Sequence, residues 1–199
     1  MMSKSGNTFK NLAVAVHRNA DGALDCLVRT YQDRLFSYAS HLLANSFDAQ
    51  EVIQDAFLRA HRALTTRYDE AKCAGLVLGP WLYRITRNLA YNRRRTHRSR
   101  SEVSLEESGD GYAPLLRYPP EAAQSLEATE QARTLQLALE RLNPAERDVI
   151  LLRFTEEMSY AEIAAIVGAS EASVRGKVFR ALGKLRSALR KNREGRNAL

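Results

Sequence analysis

In the last third of the chain, apolar residues recur at helical spacing in three bursts, each bounded by residues that suit helix ends. The first opens at Asn143-Pro-Ala-Glu, where Asn143 suits an N-cap, Pro144 lacks the N–H that would go unpaired, and Glu146 completes a capping box. Ser159 and Glu162 repeat that box one helix later. Gly168 supplies a left-handed residue to end this short helix, and Ser170 suits the cap of the next after a turn of about three residues. Two helices joined so tightly cross steeply. That is the helix-turn-helix arrangement, which offers its second helix to a DNA major groove.

On that second helix Val174, Val178, Ala181, Leu182, Leu185 and Leu189 share a stripe expected to pack. The other side carries Ser173, Gly176, Lys177, Arg180 and Lys184, with Arg175 among the candidate contacts. Lysine and arginine donors match guanine O6 and N7, and Ser173 suits a phosphate or a base edge.

The same periodicity predicts helices earlier in the chain. Residues 1 to about 20 read as a loose, polar lead-in. Leu24, Leu27, Val28, Tyr31, Leu35, Tyr38 and Leu42 then mark a helix that stops near Asn45-Ser46. Asp48 and Glu51 form a further capping-box pattern before Val52, Ile53, Ala56, Phe57, Ala60 and Leu64, opposite Gln50, Gln54, Asp55, Arg59 and Arg62. A loop is expected from about Thr65 to Leu78. Gly79-Pro80 should start the next helix with proline at its first position. Trp81, Leu82, Ile85 and Leu89 form its packed stripe, leaving Arg84, Arg87, Tyr91 and Arg94 opposite. By this spacing Trp81 is a core residue, while Tyr83 and Tyr91 are the candidates for stacking on bases.

Charge divides the chain. Between Ala71 and Ser101 there is no acid, and Lys72 with seven arginines gives about +8, against +7 for all 199 residues. A one-signed run along a helix that includes a ring suits phosphates and a stacked, unpaired base. From about Glu102 to Glu130 the sign reverses: seven acids face Arg117, and Gly109, Gly111, Pro114, Pro119 and Pro120 break any long helix. The reading is an all-α protein of two small helical domains, 22–100 and 128–190, joined by a flexible acidic linker at 101–127. Leu135, Ala138, Leu139 and Leu142 open the second domain.

Other classes are disfavoured. Cys26 and Cys73 are far apart and without the partners of a zinc site, so no metal and no disulfide framework is expected. The four histidines are scattered, and no carboxylate cluster or glycine-rich phosphate loop points to an enzyme or a cofactor. No stretch approaches a membrane span, so a cytoplasmic protein without membrane insertion is expected. A two-lobed regulator that binds duplex DNA unaided is the alternative reading.

Three segments together resemble the extracytoplasmic-function sigma factors of bacterial RNA polymerase. Asp48-Ala-Gln-Glu-Val-Ile-Gln-Asp-Ala-Phe-Leu-Arg-Ala is similar to that family's core-binding segment in region two. Pro80-Trp-Leu-Tyr-Arg-Ile-Thr-Arg-Asn-Leu-Ala-Tyr-Asn-Arg-Arg-Arg resembles its promoter-melting helix, and Leu142-Asn-Pro-Ala-Glu-Arg through Val178-Phe-Arg-Ala resembles region four. The resemblance implies that Asp48, Glu51, Gln54 and Asp55 face core polymerase, through the clamp helices of the largest subunits. It implies that Arg84, Arg87, Asn88, Tyr91, Asn92 and Arg94 take the minus-ten element single-stranded, and that region four takes the minus-thirty-five element. Core polymerase (clamp helices and flap), promoter DNA and an anti-sigma factor are the partners it implies. His61 departs from the family, which often has tryptophan there.

Overall fold

The computed structural model describes residues 11–43, 45–101, 133–135 and 137–196. Its first helix lies inside the supposed lead-in. Helix α1 (Leu12–His17) is capped by Asn11, whose side chain accepts from the Val14 N–H at 3.1 Å, and it buries Ala13, Ala15 and Val16. Six residues are too few to show a helical period, which is why this segment read as loose. The supposed loop after residue 65 is also structured: a π turn (Ala63–Arg67) leads into α4 (Glu70–Ala74), capped by Asp69 through the Lys72 N–H. Helix α1 packs on both. Asn11 Nδ2 donates to the Ala74 carbonyl at 3.1 Å, and Arg18 pairs with Glu70 at 2.5 Å. His17 Nδ1 lies 2.7 Å from the Leu64 carbonyl, which can only accept, so that nitrogen carries the proton.

Helices α2 (Ala23–Leu43), α3 (Ser46–Arg62) and α5 (Leu78–Ser101) form the body of the first lobe, each packed on the other two. Leu27, Leu35, Ala56, Ala60 and Leu82 are fully enclosed, while Leu24 at the start of α2 is exposed. Truncating an enclosed leucine of this kind to alanine costs about 2–5 kcal/mol. Helix α3 is capped by Asn45, which accepts from Phe47 and Asp48 N–H at 2.8 and 3.3 Å; the expected Asp48 box is not formed. Helix α5 starts at Leu78, so Pro80 is its third residue, still in the first turn where N–H groups lack intrahelical acceptors. Its packed face is rotated from the expected stripe: Leu82, Tyr83, Thr86, Leu89 and Ala90 are buried, and Trp81 and Ile85 only half-buried. Trp81 leans on Tyr68, ring centroids 5.8 Å apart.

The second lobe follows its sequence signals closely. Helical turns at 133–135 and 137–140 precede α6 (Pro144–Ile150), whose Asn143–Glu146 capping box is complete in both directions. A π turn (Leu151–Thr155) leads to α7 (Tyr160–Val167), with the Ser159–Glu162 box also complete. Gly168 ends α7 at φ 69°, a left-handed conformation that glycine adopts without steric cost. Ser170 Oγ then accepts from the Ser173 N–H at the start of α8 (Glu171–Arg196). On α8 the buried residues are Val174, Val178, Ala181, Leu185 and Ala188, while Leu182 and Leu189 are 38% and 37% exposed. Steps of four and three along that buried line hold one narrow seam, and the two leucines flank it.

The described residues contain no strand. The acidic stretch 102–130 lies outside them. The lobes touch directly: α7 packs on α5 and α6 on α2.

Candidate nucleic-acid interface

Helix α5 divides its basic residues between two directions. Arg84, Asn88 and Asn92 are exposed, and their spacing of four puts them in one row along the helix. Arg94 is half-buried and lines, with Tyr91, Arg95, Asn45 and Pro144, a cleft of about 630 Å³. Arg87 and Tyr91 turn away from that row, toward the second lobe.

They meet Asp148 of α6, whose side chain is 1% exposed. One carboxylate oxygen accepts from the Tyr38 hydroxyl at 2.6 Å; the other accepts from Arg87 Nε at 2.6 Å and from the Tyr91 hydroxyl at 3.3 Å. Glu156, just past the second π turn, makes a parallel set. Its carboxylate takes the Tyr83 hydroxyl and Arg34 Nε, the latter at 3.0 Å. Tyr38 and Tyr83 stand edge to face at 5.2 Å, and the Arg87 guanidinium lies 4.5 Å from the Tyr91 ring centre. The expectation that Tyr83 stacks on a base is therefore overturned: its ring is 1% exposed and its hydroxyl is engaged. Burial, then the neighbouring carboxylates, push the Tyr38 and Tyr83 hydroxyls well above their ordinary range, and Tyr91 up to about 12. For Arg87 burial is the largest single influence and works in the opposite sense, but the charge and hydrogen bond of Asp148, together with Tyr91 and Tyr38, outweigh it and raise the pKa.

On α3 the four acidic and amide candidates also separate. Asp48 is nearly buried and pairs with Arg93 at 2.8 Å and with His97 at 3.2 Å; Glu51 is bonded by the same Arg93. Gln54 and Asp55 are exposed, between Phe47 and Leu58, each 66% exposed. Phe47, Glu51, Gln54 and Leu58 follow steps of four, three and four, which places them on one face.

Helix α8 presents Ser173, Arg175 and Arg180 as exposed, with Gly176 and Lys177 partly so. Arg175 reaches Glu171 at 3.5 Å, a solvent-exposed pair one turn apart. Lys184 points elsewhere, onto Glu146 of α6. Phe179, 79% exposed, joins this outer surface and was not among the sequence candidates.

The chain matches the model described as Sigma-70 region 2 over residues 27–100 and that described as Sigma-70, region 4 over residues 132–185. It is 32% identical over 182 residues to the ECF RNA polymerase sigma-E factor of Escherichia coli, covering 87% of this chain and 90% of that protein. The chain belongs to the ECF sigma factors. It is 30% identical to the RNA polymerase sigma-H factor of Pseudomonas aeruginosa, covering 90% of this chain and 93% of that one. Against ECF RNA polymerase sigma factor SigE of Mycolicibacterium smegmatis the identity is 31%, and the match spans 62% of that longer relative. The sigma fold is shared with RpoE of Bartonella quintana, solved in complex with the anti-sigma factor NepR, at TM-score 0.69, 22% identity and coverage of 85% and 98% of the two chains. CnrH, solved with the cytosolic domain of CnrY, gives TM-score 0.65 at 24% identity, with coverage of 90% and 96%.

Within this sigma factor, region 2 takes in α2 to α5 and region 4 runs to the middle of α8. Sequence reasoning missed Asp148 and Glu156. The available signal was position: Asp148 directly precedes the apolar run from Val149 to Leu152, where a carboxylate needs a partner from elsewhere.

Proposed function

We propose that this chain binds core RNA polymerase and directs promoter-specific initiation, reading the minus-thirty-five element as duplex and the minus-ten element as single strand. The observation that carries the reading is the exposed row Arg84, Asn88 and Asn92 on a helix within the region 2 match, paired with an exposed basic face on the second helix of a helix-turn-helix within the region 4 match. Asparagine amides pair with an extruded base through a donor and an acceptor, and arginines hold the phosphates. On α8, Ser173, Arg175, Lys177 and Arg180 serve the major groove, with Gly176 admitting close approach of the helix.

Core polymerase is met by Gln54 and Asp55 with the apolar Phe47 and Leu58 beside them. A polar pair flanked by exposed rings and branched chains has the make-up of an interface centre rather than of solvated surface. Asp48 and Glu51 support that surface through Arg93. The phosphodiester chemistry remains with the polymerase, this subunit supplying address and strand opening in the cytoplasm. One structural neighbour, RpoE of Bartonella quintana, is bound by an anti-sigma factor, and the same class of regulator is proposed here.

Run-off transcription with purified core polymerase on fragmented genomic DNA of the source organism tests the proposal. New discrete start sites that require the chain support it, and their alignment yields both promoter elements. Binding to duplex DNA without core, and no new transcript with it, would make the chain an independent regulator.

A further inference from the structure

In region 4, two arginines meet one ring. Arg153 Nη1 donates to the Met158 carbonyl at 2.7 Å, and the Arg153 guanidinium lies over the Tyr160 ring, 5.0 Å from its centre. Arg175 of α8 lies over the same ring at 5.1 Å and reaches Glu171 Oε2 at 3.5 Å. Tyr160 is the first residue of α7 and Glu171 the first of α8. The contacts therefore run from the second π turn, through the start of α7, to the outer face of α8. Each is weak alone, since exposed ion pairs and exposed cation–ring contacts hold little. Two of them converge on Arg175, whose side chain still stays 64% exposed.

We infer that Tyr160 and Glu171 are positioning residues for Arg175, holding its guanidinium ready for one guanine of the upstream element, with Arg153 steadying the ring. The inference rests on the reading of α8 as the minus-thirty-five helix. An arginine reads guanine with two parallel N–H donors, so the plane of its fork must be set as well as its place. A free arginine loses much rotamer freedom on binding; one already held by a ring and a carboxylate has less to lose. This also gives Glu171 a use. A carboxylate on a surface that meets DNA repels phosphate, but one placed four residues before an arginine on a helix holds it in the favourable orientation. The flat ring accepts the guanidinium face and leaves the N–H edge free to donate.

The test uses the full chain with Tyr160→Leu, Tyr160→Phe, Glu171→Ala and Arg175→Ala, circular dichroism checking that helicity is retained. The first readout needs no DNA: in proton NMR the Arg175 side-chain methylene next to the guanidinium, assigned through Arg175→Ala, is expected to be shifted upfield by the ring current of Tyr160. The shift should persist in Tyr160→Phe and vanish in Tyr160→Leu; its absence from the parent chain overturns the inference. The second readout is selection, by polymerase holoenzyme carrying each variant, from duplexes randomised across the upstream element. Arg175→Ala should abolish a guanine preference at one position. Tyr160→Leu and Glu171→Ala should weaken that same preference by about two- to fivefold, the size of an exposed cation–ring contact, and Tyr160→Phe should keep it. Tighter binding of Glu171→Ala to every sequence would reduce Glu171 to a phosphate-repelling charge and overturn its part. Equal loss in Tyr160→Phe and Tyr160→Leu would make the hydroxyl a DNA contact and overturn the part of the ring. Because the NMR shift involves neither DNA nor polymerase, failure of the positioning is distinguished from failure of the sigma reading, which the run-off assay decides.

Discussion

Lys184 Nζ lies 2.7 and 2.9 Å from the two carboxylate oxygens of Glu146, the residue that also closes the capping box at the start of α6. Burial of Glu146 raises its pKa, but the bonds from Lys184 and from the Asn143 amide, with the charges of Lys184 and Arg180, together outweigh that, and the carboxyl is held below its usual range. Lys184 therefore fastens α8 to α6. Lys184→Ala is expected to lower stability by about 1 kcal/mol, as for other hydrogen bonds to charged groups at a partly exposed site. Lys177→Ala and Arg180→Ala should instead leave the melting temperature nearly unchanged and weaken binding to upstream-element duplex by about 1–3 kcal/mol each. Thermal melts beside duplex-binding assays of the three variants separate the roles. Equal loss of binding in all three would return Lys184 to the DNA face.

Gly176 offers a sharper probe of the same face. A methyl group added there would meet only the flexible end of Arg180, at 3.4 Å. Inside a helix, alanine is favoured over glycine by about 1 kcal/mol. Gly176→Ala should thus raise the melting temperature. If the helix approaches DNA at this point, the same change lowers affinity for the upstream element. A variant both more stable and equally tight on DNA would place Gly176 away from the groove.

The acids of α3 should divide in the same manner. Asp55 is exposed, so Asp55→Ala is expected to weaken capture of core polymerase while leaving the melt unchanged. Asp48 is nearly buried beneath Arg93 and His97. Asp48→Ala strips a paired arginine of its main partner and is expected to cost about 2–3 kcal/mol of stability, read by urea denaturation. Loss of core binding without loss of stability in the Asp48 variant would contradict this assignment.

Tyr91 gives a pH signature. Its hydroxyl has a pKa pushed up from an ordinary value near 10 to about 12. The raised value means that the docked state holds the proton more firmly than the unfolded chain does. The stabilisation is fully present below about pH 10 and is lost as pH rises from there through about 12. Alkaline titration followed by tyrosinate absorbance should show a late-titrating ring that moves toward the ordinary range in Tyr91-retaining variants lacking the Asp148 carboxylate. No change in that variant would separate the shift from Asp148.

Local chemistry was legible in the sequence where it acts over a few residues. Asn143, Glu146, Ser159, Glu162, Gly168 and Ser170 all occupy the helix ends assigned to them, because capping depends on neighbours three residues away. Helix α1 was not legible: it is held by Ala74 and Glu70, far along the chain. The face of α5 was displaced for the same reason. Its spacing identified a helix with one packed side, but Tyr83 is enclosed because Glu156 and Tyr38 come to it. Periodicity reports that a face is buried. It does not report that a second lobe buries another.

The bond between Tyr38 and Asp148 joins positions 110 residues apart, and that between Arg34 and Glu156 joins positions 122 apart. Chains emerge from the ribosome in order, at about 5–20 residues per second. Helix α5 is complete at Ser101, and about 47 further residues must be added before Asp148 exists. For roughly 2–9 seconds, at that rate, every newborn copy therefore carries Arg87 and Tyr91 without their carboxylate. Synthesis itself gives each molecule a brief interval in which the helix proposed to bind the minus-ten strand stands without its cover from the second lobe.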